Sequence, residues 1–186
     1  MNHFKNYKLK IEWKPGQFHG KTIRKNLSQT LWLKKIRPQI LKKFNYTCQI
    51  CSFHPEEEKD YRLLHVHEIE EYDTENLICN LKGLDLICIN CHSFHHFGRT
   101  VSVTTKEQME KLKEHFKKVN NCTEDDFIEH YRYVRDQKMK IFNDMLNNTK
   151  SYNQSRNNNT VKFRITGQIP FKEEVIKQLQ KKDLYI

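Results

Sequence analysis

Two short cysteine pairs constrain this chain more than any other feature of its sequence. The spacing Cys-x-x-Cys occurs at Cys48 and Cys51, and it recurs at Cys88 and Cys91. Four thiolates presented in two such pairs can surround one zinc ion in a closed tetrahedral shell, the arrangement of a structural site. A redox-active pair would leave the second, matched pair unexplained. The sequence therefore predicts a structural Zn²⁺ site formed by these four cysteines.

The composition suits a chain that depends on such a metal staple. Hydrophobic residues make up 37% and charged residues 30% of its 186 residues, so we expect a modest core. No apolar run approaches the roughly 20 residues needed to cross a bilayer, and the N-terminal residues lack the apolar stretch of a secretory signal. We therefore expect no membrane partner and a cytoplasmic location, where paired cysteines favour metal over disulfides. Cys79 and Cys122 are isolated and are predicted to be small buried residues.

Basic and acidic residues are separated along the chain. Residues 1–47 hold twelve Lys/Arg and one acid, whereas residues 48–98 hold three Lys/Arg and ten acids. Basic flanks can recruit a polyanion because each neutralised phosphate releases counterions, and an acidic middle suits a divalent cation. The pattern favours nucleic acid, most simply double-stranded DNA, as the partner. A solvated basic surface without a partner is the plainer alternative.

Hydrophobic periodicity predicts a basic amphipathic helix over Leu31–Phe44, in which Pro38 either kinks the helix or opens its second part. The residues predicted to contact nucleic acid on it are Lys34, Lys35, Arg37, Lys42 and Lys43. Strands are predicted at Arg62–Ile69 and Leu84–Ile87, followed by a short helix over His92–Phe97 that Gly98 closes. The segments expected are a basic arm (1–30, with a short strand at Tyr7–Trp13), a stapled core (31–98), a helical extension (99–146), a linker (147–160), and a small C-terminal unit (161–186) with a strand at Val161–Thr166.

Histidines beside the second cysteine pair indicate another metal site. His92 and His96 are four residues apart, so on a helix they share one face and can hold one cation together. His67 or Glu68, arriving from the first strand, could complete a three-ligand site that leaves positions for water and a phosphate oxygen. A surface or supporting role is the plainer interpretation for any single histidine here.

At this point the sequence resembles a known family. The order of cysteine pair, strand with His67, second strand, and Cys-x-x-Cys-His-x-x-x-His is similar to the zinc-containing HNH nucleases over residues 31–98. The resemblance implies an α+β chain with a ββα-metal (HNH) core and a four-cysteine zinc staple, flanked by an N-terminal basic helix and C-terminal helices. It also implies hydrolysis of phosphodiester bonds with Mg²⁺ or another divalent cation. On this basis His67 is the first metal ligand, and His92 and His96 are the helix ligands.

Two positions depart from the family pattern. Glu68 stands where the family usually has its general-base histidine, and Gly83 stands where it usually has an orienting asparagine. The run from His67 to Asp73 is similar to a divergent branch of bacterial and phage HNH proteins. Glu68 can serve as the base if burial lifts its pKa toward neutrality. Alternatively, Glu68 joins the helix histidines on the metal and His67 is the base. Tyr72 and Asp73 are predicted to be a hairpin-turn pair.

Three functions fit the pattern to different degrees. The leading prediction is a metal-dependent HNH endonuclease, an enzyme that cuts DNA. The alternative is a catalytically lapsed HNH-fold module that still binds nucleic acid, because Glu68 and Gly83 alter the catalytic motif. A zinc-ribbon adaptor for protein interactions fits the cysteines but leaves His92 and His96 unexplained.

Overall fold

A computed structural model describes residues 3–147 and 160–186 of the chain. The expected α+β class is confirmed, because three strands form one sheet and helices supply most of the remaining structure. The strands are β1 (Leu64–Asp73), β2 (Ile78–Cys88) and β3 (Lys162–Ile165). The helices are α1 (Arg37–Lys43), α2 (Ile89–His95), α3 (Phe97–Val103), α4 (Lys106–Asn120), α5 (Glu124–Asn147) and α6 (Lys172–Gln180). Within these two ranges, no helix has the length and apolar character needed to span a membrane.

Contacts divide the chain into two compact units. The first unit comprises Met1–Trp13, Thr47–His65 and Ile87–Asp144, and the second comprises Lys14–Tyr46, Val66–Leu86 and Met145–Ile186. Each unit combines three separate stretches, so the division differs from the five consecutive segments expected from the sequence. Residues 31–98 contribute to both units. Of the predicted linker, residues 148–159 lie outside the part of the chain that the structure describes.

Aromatic rings form the centre of the first unit. The ring of Phe116 lies 5.2 Å from that of Phe94 and 5.1 Å from that of Phe127, measured between centroids. His130 is also buried here, and its Nε2 accepts a hydrogen bond from the backbone N–H of Ile11 at 3.1 Å. Contacts between aromatic rings at these separations are favourable beyond the area that they bury. This aromatic cluster joins α2, α4 and α5.

The N-terminal residues are part of this core. Phe4, Leu9 and Ile11 are buried, although the sequence predicts a basic arm for residues 1–30. The strand predicted at Tyr7–Trp13 is absent. The backbone N–H of Leu9 bonds to the Asn120 side chain, and other N–H groups of this stretch also bond to helical residues. These N–H groups therefore have partners without a neighbouring strand.

In the second unit, a π-helical segment (Thr30–Ile36) continues directly into α1. Pro38 lies in the first turn of α1, so it opens the second part of the predicted helix. The backbone N–H of the preceding residue, Arg37, bonds to the carbonyl of Trp32, so Pro38, which has no N–H, lies where the π-helical hydrogen-bond pattern changes to the α-helical one. Of the apolar residues that predict this helix, Ile36, Ile40 and Leu41 are buried but Leu33 is exposed. Leu31 and Trp32 are buried in its place.

The sheet has the order β1-β2-β3. Both β1 and β2 are longer than the predicted strands, and residues 74–77 connect them. Asp73 stabilises this connection, since its carboxylate accepts the backbone N–H groups of Glu75 and Asn76 at 3.1 and 2.9 Å. β3 pairs in parallel with β2, with Ile78 opposite Lys162. The C-terminal strand predicted at Val161–Thr166 therefore extends the sheet of the hairpin.

The helix at the second cysteine pair begins earlier than predicted. α2 begins at Ile89, and Gly98 lies inside α3 instead of closing the helix over His92–Phe97. A Cβ atom at Gly98 would lie 2.4 Å from the ring atom Cζ3 of Trp13, so close packing explains this glycine. α4 begins with a capping box between Thr105 and Gln108.

Gly167 packs directly against the backbone of β2. Its backbone N–H donates to the carbonyl of Leu81, and a Cβ atom at this position would lie 1.7 Å from the carbonyl oxygen of Lys82. Gly167→Ala should lower the free energy of unfolding by at least about 2 kcal/mol, since backbone atoms must move to admit the methyl group. Urea denaturation measures this change.

Gly16→Ala is the matched control, because no atom lies within 4 Å of a Cβ built at Gly16. Its free energy of unfolding should change by less than about 1 kcal/mol. Equal stability of Gly167→Ala and the unchanged protein would contradict the close approach of the two backbones.

Candidate metal centre

The four paired cysteines come together in the first unit. Their sulfur atoms all lie within 4.8 Å of one another, and the Cys51 and Cys88 sulfurs are 3.6 Å apart. Sulfurs on a tetrahedral ion with metal–sulfur bonds of about 2.3 Å would be about 3.8 Å apart, whereas a disulfide would need about 2.05 Å. All four are free thiols. The cluster is therefore geometrically suited to a metal ion.

Local backbone structure presents both pairs. The Cys48 backbone N–H donates to the carbonyl of Phe53 at 2.9 Å, which closes a tight turn around the first pair. Cys88 ends β2 and also caps α2, because its sulfur accepts the N–H of Cys91 at 3.5 Å. Cys48, Cys88 and Cys91 are buried, and Cys51 is half-buried. The cluster thus joins a turn to the point where the hairpin becomes a helix.

Three histidines gather beside this helix within the first unit. The rings of His92 and His96 lie 4.7 Å apart between centroids, so the structure brings the two predicted helix ligands together. His65, in β1, places its Nδ1 3.3 Å from the Nδ1 of His92. Two nitrogens bound to one tetrahedral ion would lie about 3.3–3.4 Å apart. The His65–His92 distance therefore fits a hydrogen bond between imidazoles or two nitrogens facing one cation.

The other two predicted site residues belong to the second unit. His67 and Glu68 are consecutive in β1, so their side chains point to opposite faces of the strand. Glu68 is half-buried, and its Oε1 accepts the backbone N–H of Arg24 at 3.0 Å. Burial raises the pKa of Glu68 to about 7, and the negative charge of Glu70 contributes to this shift. This is the direction of shift that a glutamate base requires.

A buried polar network follows Glu68 along β1. The carboxylate of Glu70 pairs with Lys14 at 2.7 Å, and the exposed fractions of these two side chains are 6% and 10%. Tyr72 and Cys79 each donate a hydrogen bond to the same carboxylate. Several partners thus compensate the buried charge of Glu70. Tyr72 therefore belongs to this network and not to the turn, and Cys79 is buried as expected.

Gly83 lies in β2 of the second unit. A Cβ atom at this position would make ordinary contact with the Ile69 side chain at 3.6 Å. The backbone of β2 therefore has room for the first atom of the asparagine that the HNH pattern usually has here. Nothing in the packing of Gly83 requires a glycine.

The first unit also contains a polar contact that the sequence does not predict. The carboxylate Oε2 of Glu12 lies 2.7 Å from Nδ1 of His95, a hydrogen bond that becomes an ion pair when the imidazole is protonated. The two residues are 83 positions apart, so no local pattern joins them. His65 could have been found, because it alternates with His67 in a predicted strand.

The predicted nucleic-acid-binding residues lie in the π-helical segment and α1. Their lysines are exposed and Arg37 is half-buried; the five are Lys34, Lys35, Arg37, Lys42 and Lys43. Lys35 pairs with Glu174 at 2.8 Å. Burial lowers the pKa of Arg37, and the positive charge of Arg24 lowers it further. The stretch Lys14–Tyr46 holds nine Lys/Arg and no Asp/Glu, so this part of the chain is strongly basic.

No protein-family model, no curated protein and no solved structure matches this chain. A functional interpretation therefore depends on the chemistry of its own residues.

The cysteine cluster predicts metal-dependent stability. Protein purified without added metal should contain about one equivalent of a thiophilic metal ion by elemental analysis. Cys51→Ser and Cys88→Ser should each lose that ion and melt at a lower temperature, because metal binding contributes directly to folding free energy.

Cys122→Ser is the control, since Cys122 lies outside the cluster. It should keep the full metal content. A folded protein without metal, or a disulfide within the cluster, would contradict the assignment.

Proposed function

We propose that this chain is a metal-dependent endonuclease of the HNH type that hydrolyses phosphodiester bonds in double-stranded DNA. The observation that carries the proposal is the pair of adjacent imidazoles, His92 and His96, directly after the last cysteine of a metal-suited cluster. The consecutive order β1, β2, α2 agrees with the ββα-metal core that the sequence resembles. In this proposal the cysteine cluster holds the helix, and the helix holds the catalytic cation.

We assign zinc to the cysteine cluster. Four thiolates in a closed shell suit Zn²⁺, which has no redox chemistry of its own and tolerates tetrahedral geometry. The cluster leaves no position for water or substrate, so its role in this proposal is structural. Two of its cysteines flank or lie in α2, the helix that carries His92, so we expect the histidine site to depend on the cysteine cluster.

The catalytic cation, Mg²⁺ or another divalent ion, is assigned to His92 and His96 with a third ligand from β1. The sequence offers His67 or Glu68 for this position. The resemblance assigns His67 to this position, and Glu68 is the alternative that leaves His67 as the base. Bound there, the ion would polarise the scissile phosphate and stabilise the charge that develops on it.

Glu68 is then left at the position where the family has its general base. Its carboxylate is held by the N–H of Arg24, which fixes its orientation. In the proposed reaction the base, Glu68 or His67 as the sequence leaves open, accepts a proton from the attacking water, whose oxygen forms the new bond to phosphorus while the bond to the leaving oxygen breaks and that oxygen takes up a proton from solvent.

The basic stretch Lys14–Tyr46 supplies the proposed DNA contacts. Its exposed lysines at Lys34, Lys42 and Lys43 offer flexible point charges for backbone phosphates. Contacts of this kind position the duplex but carry no sequence information. The proposal therefore separates binding, by the basic helix, from chemistry, by the histidine site.

One specific pair of observations favours the second candidate, a nucleic-acid-binding module without catalysis. The Glu68 carboxylate already accepts a backbone hydrogen bond, and Gly83 lacks the orienting side chain of the HNH pattern. Such a module would keep the metal cluster and the basic helix.

A plasmid-nicking assay tests the proposed catalytic site. With Mg²⁺ or Mn²⁺, the unchanged protein should nick supercoiled DNA, and His92→Ala and His96→Ala should each reduce the rate at least about 100-fold. Both variants should keep their zinc and their affinity for DNA, because the two histidines lie outside the thiolate cluster. Ser93→Ala on the same helix is the matched control and should cut normally.

Substitution of Glu68 in the same assay separates the two candidates. Glu68→Gln preserves size but removes the proton acceptor, so the nicking rate should fall steeply. An inert unchanged protein with a cleaving Glu68→His variant would favour the lapsed binding module. Normal cleavage by His92→Ala and His96→Ala would show that the histidine assignment is wrong.

Salt dependence tests the proposed DNA contacts. The triple variant Lys34→Gln/Lys42→Gln/Lys43→Gln should bind a DNA duplex more weakly. The slope of log affinity against log salt should become shallower by about 2–3, since each lost phosphate contact contributes roughly 0.9. Fluorescence anisotropy at several salt concentrations measures both quantities.

Lys106→Gln/Lys111→Gln/Lys118→Gln on α4 makes the same change in net charge and is the control. It should leave the slope within about 1 of the original value. Equal slopes for the two triple variants would mean that DNA binding depends only on the total charge of the protein.

A further inference from the structure

A histidine from a distant helix contacts the cysteine cluster. His115 lies in α4 and is half-buried, and its Nε2 is 3.2 Å from the sulfur of Cys91. The two residues are 24 positions apart. An imidazole N–H at this distance can donate a hydrogen bond to a thiolate.

The packing of α4 fixes this contact. The capping box of Thr105 and Gln108 sets the start of the helix. Farther along, Phe116 is fully buried and its ring lies 5.2 Å from that of Phe94, three residues after Cys91. Because Phe116 directly follows His115, the aromatic contact that docks α4 on α2 also holds the imidazole beside the sulfur.

The negative charge of the cysteine cluster explains why a hydrogen-bond donor beside it is stabilising. Four thiolates around one divalent cation carry a net charge of −2, and three of these cysteines are buried. Buried negative charge requires hydrogen-bond donors. The backbone N–H of Cys91 approaches the Cys88 sulfur only at 3.5 Å, whereas His115 approaches the Cys91 sulfur at 3.2 Å.

We propose that His115 is a positioning residue of the cysteine cluster, which donates its Nε2–H to the Cys91 thiolate and thereby slows release of the bound metal. The hydrogen bond withdraws charge from the sulfur and makes it a poorer target for protons and competing metals. Groups that orient metal ligands in this way commonly change metal affinity by about 10–100-fold. The inference rests on the metal assignment of the cysteine cluster and is independent of nuclease activity.

Zinc transfer from the full-length, zinc-loaded protein to an excess of a chromogenic chelator tests the inference. His115→Ala should release zinc about 10–100-fold faster than the unchanged protein. His115→Gln, whose amide N–H reaches a similar position, should stay within a few-fold of the unchanged rate. If His115→Ala fails to fold, His115→Met replaces it, because methionine preserves bulk but has no N–H.

His54→Ala is the matched control. His54 follows the first cysteine pair closely, but its Nδ1 contacts the Thr47 hydroxyl at 3.1 Å. Its removal should leave the release rate unchanged, so a rate increase confined to position 115 separates the proposed donor from general loosening near the cluster.

Replacing the bound ion with cobalt gives a spectroscopic measurement that a change in packing alone would not alter. Loss of a hydrogen bond makes the thiolate richer in electrons, so the sulfur-to-cobalt charge-transfer band of His115→Ala should shift to longer wavelength. His115→Gln should restore it. An unchanged band and release rate in His115→Ala would overturn the proposal, as would equally fast release from His115→Ala and His115→Gln.

Discussion

Thiolate contacts among Cys48, Cys51, Cys88 and Cys91 are the constraint on which the first unit depends. They join stretches of chain 37 residues apart between Cys51 and Cys88, which places the turn of the first pair against the start of α2. Cys88 ends β2 and caps α2 at once, so the cluster fixes where strand becomes helix. Phe94 then extends from the same helix into the aromatic core. The cysteine cluster and the aromatic core therefore both hold the same short helix in place.

Features set by local spacing could be predicted from the sequence. Paired cysteines, two histidines four residues apart, and the Thr105 cap all follow from rules that act over a few residues. The contacts His65–His92, Glu12–His95 and His115–Cys91 could not be predicted as pairs, because each joins residues that only the tertiary fold brings together. The prediction of a basic arm at the N-terminus was wrong for another reason. Its few apolar residues show no period, yet packing against helices buries them.

Two acidic residues of β1 lie on the face of the strand that could instead carry apolar side chains. Glu68 and Glu70 lie on one face of the strand, where alternation would allow apolar residues to pack. Lys14 compensates Glu70, but a buried ion pair commonly contributes no more stability than apolar residues of similar size. Local choices that lower stability without an evident structural gain tend to mark functional positions. Glu68 and Glu70 are acidic residues of this kind on β1.

The parallel pairing of β2 with β3 has a consequence for how the chain is made. β2 is the central strand, but its outer partner, Lys162–Ile165, follows α2, α3, α4 and α5 in the chain and is therefore synthesised after them. During translation the nascent hairpin therefore presents an open strand edge, and an open edge is a template for pairing with another chain. The cysteine cluster can close long before that edge is covered. A ribosome-bound intermediate of this protein would thus be ordered around its cysteine cluster and still vulnerable to aggregation along β2.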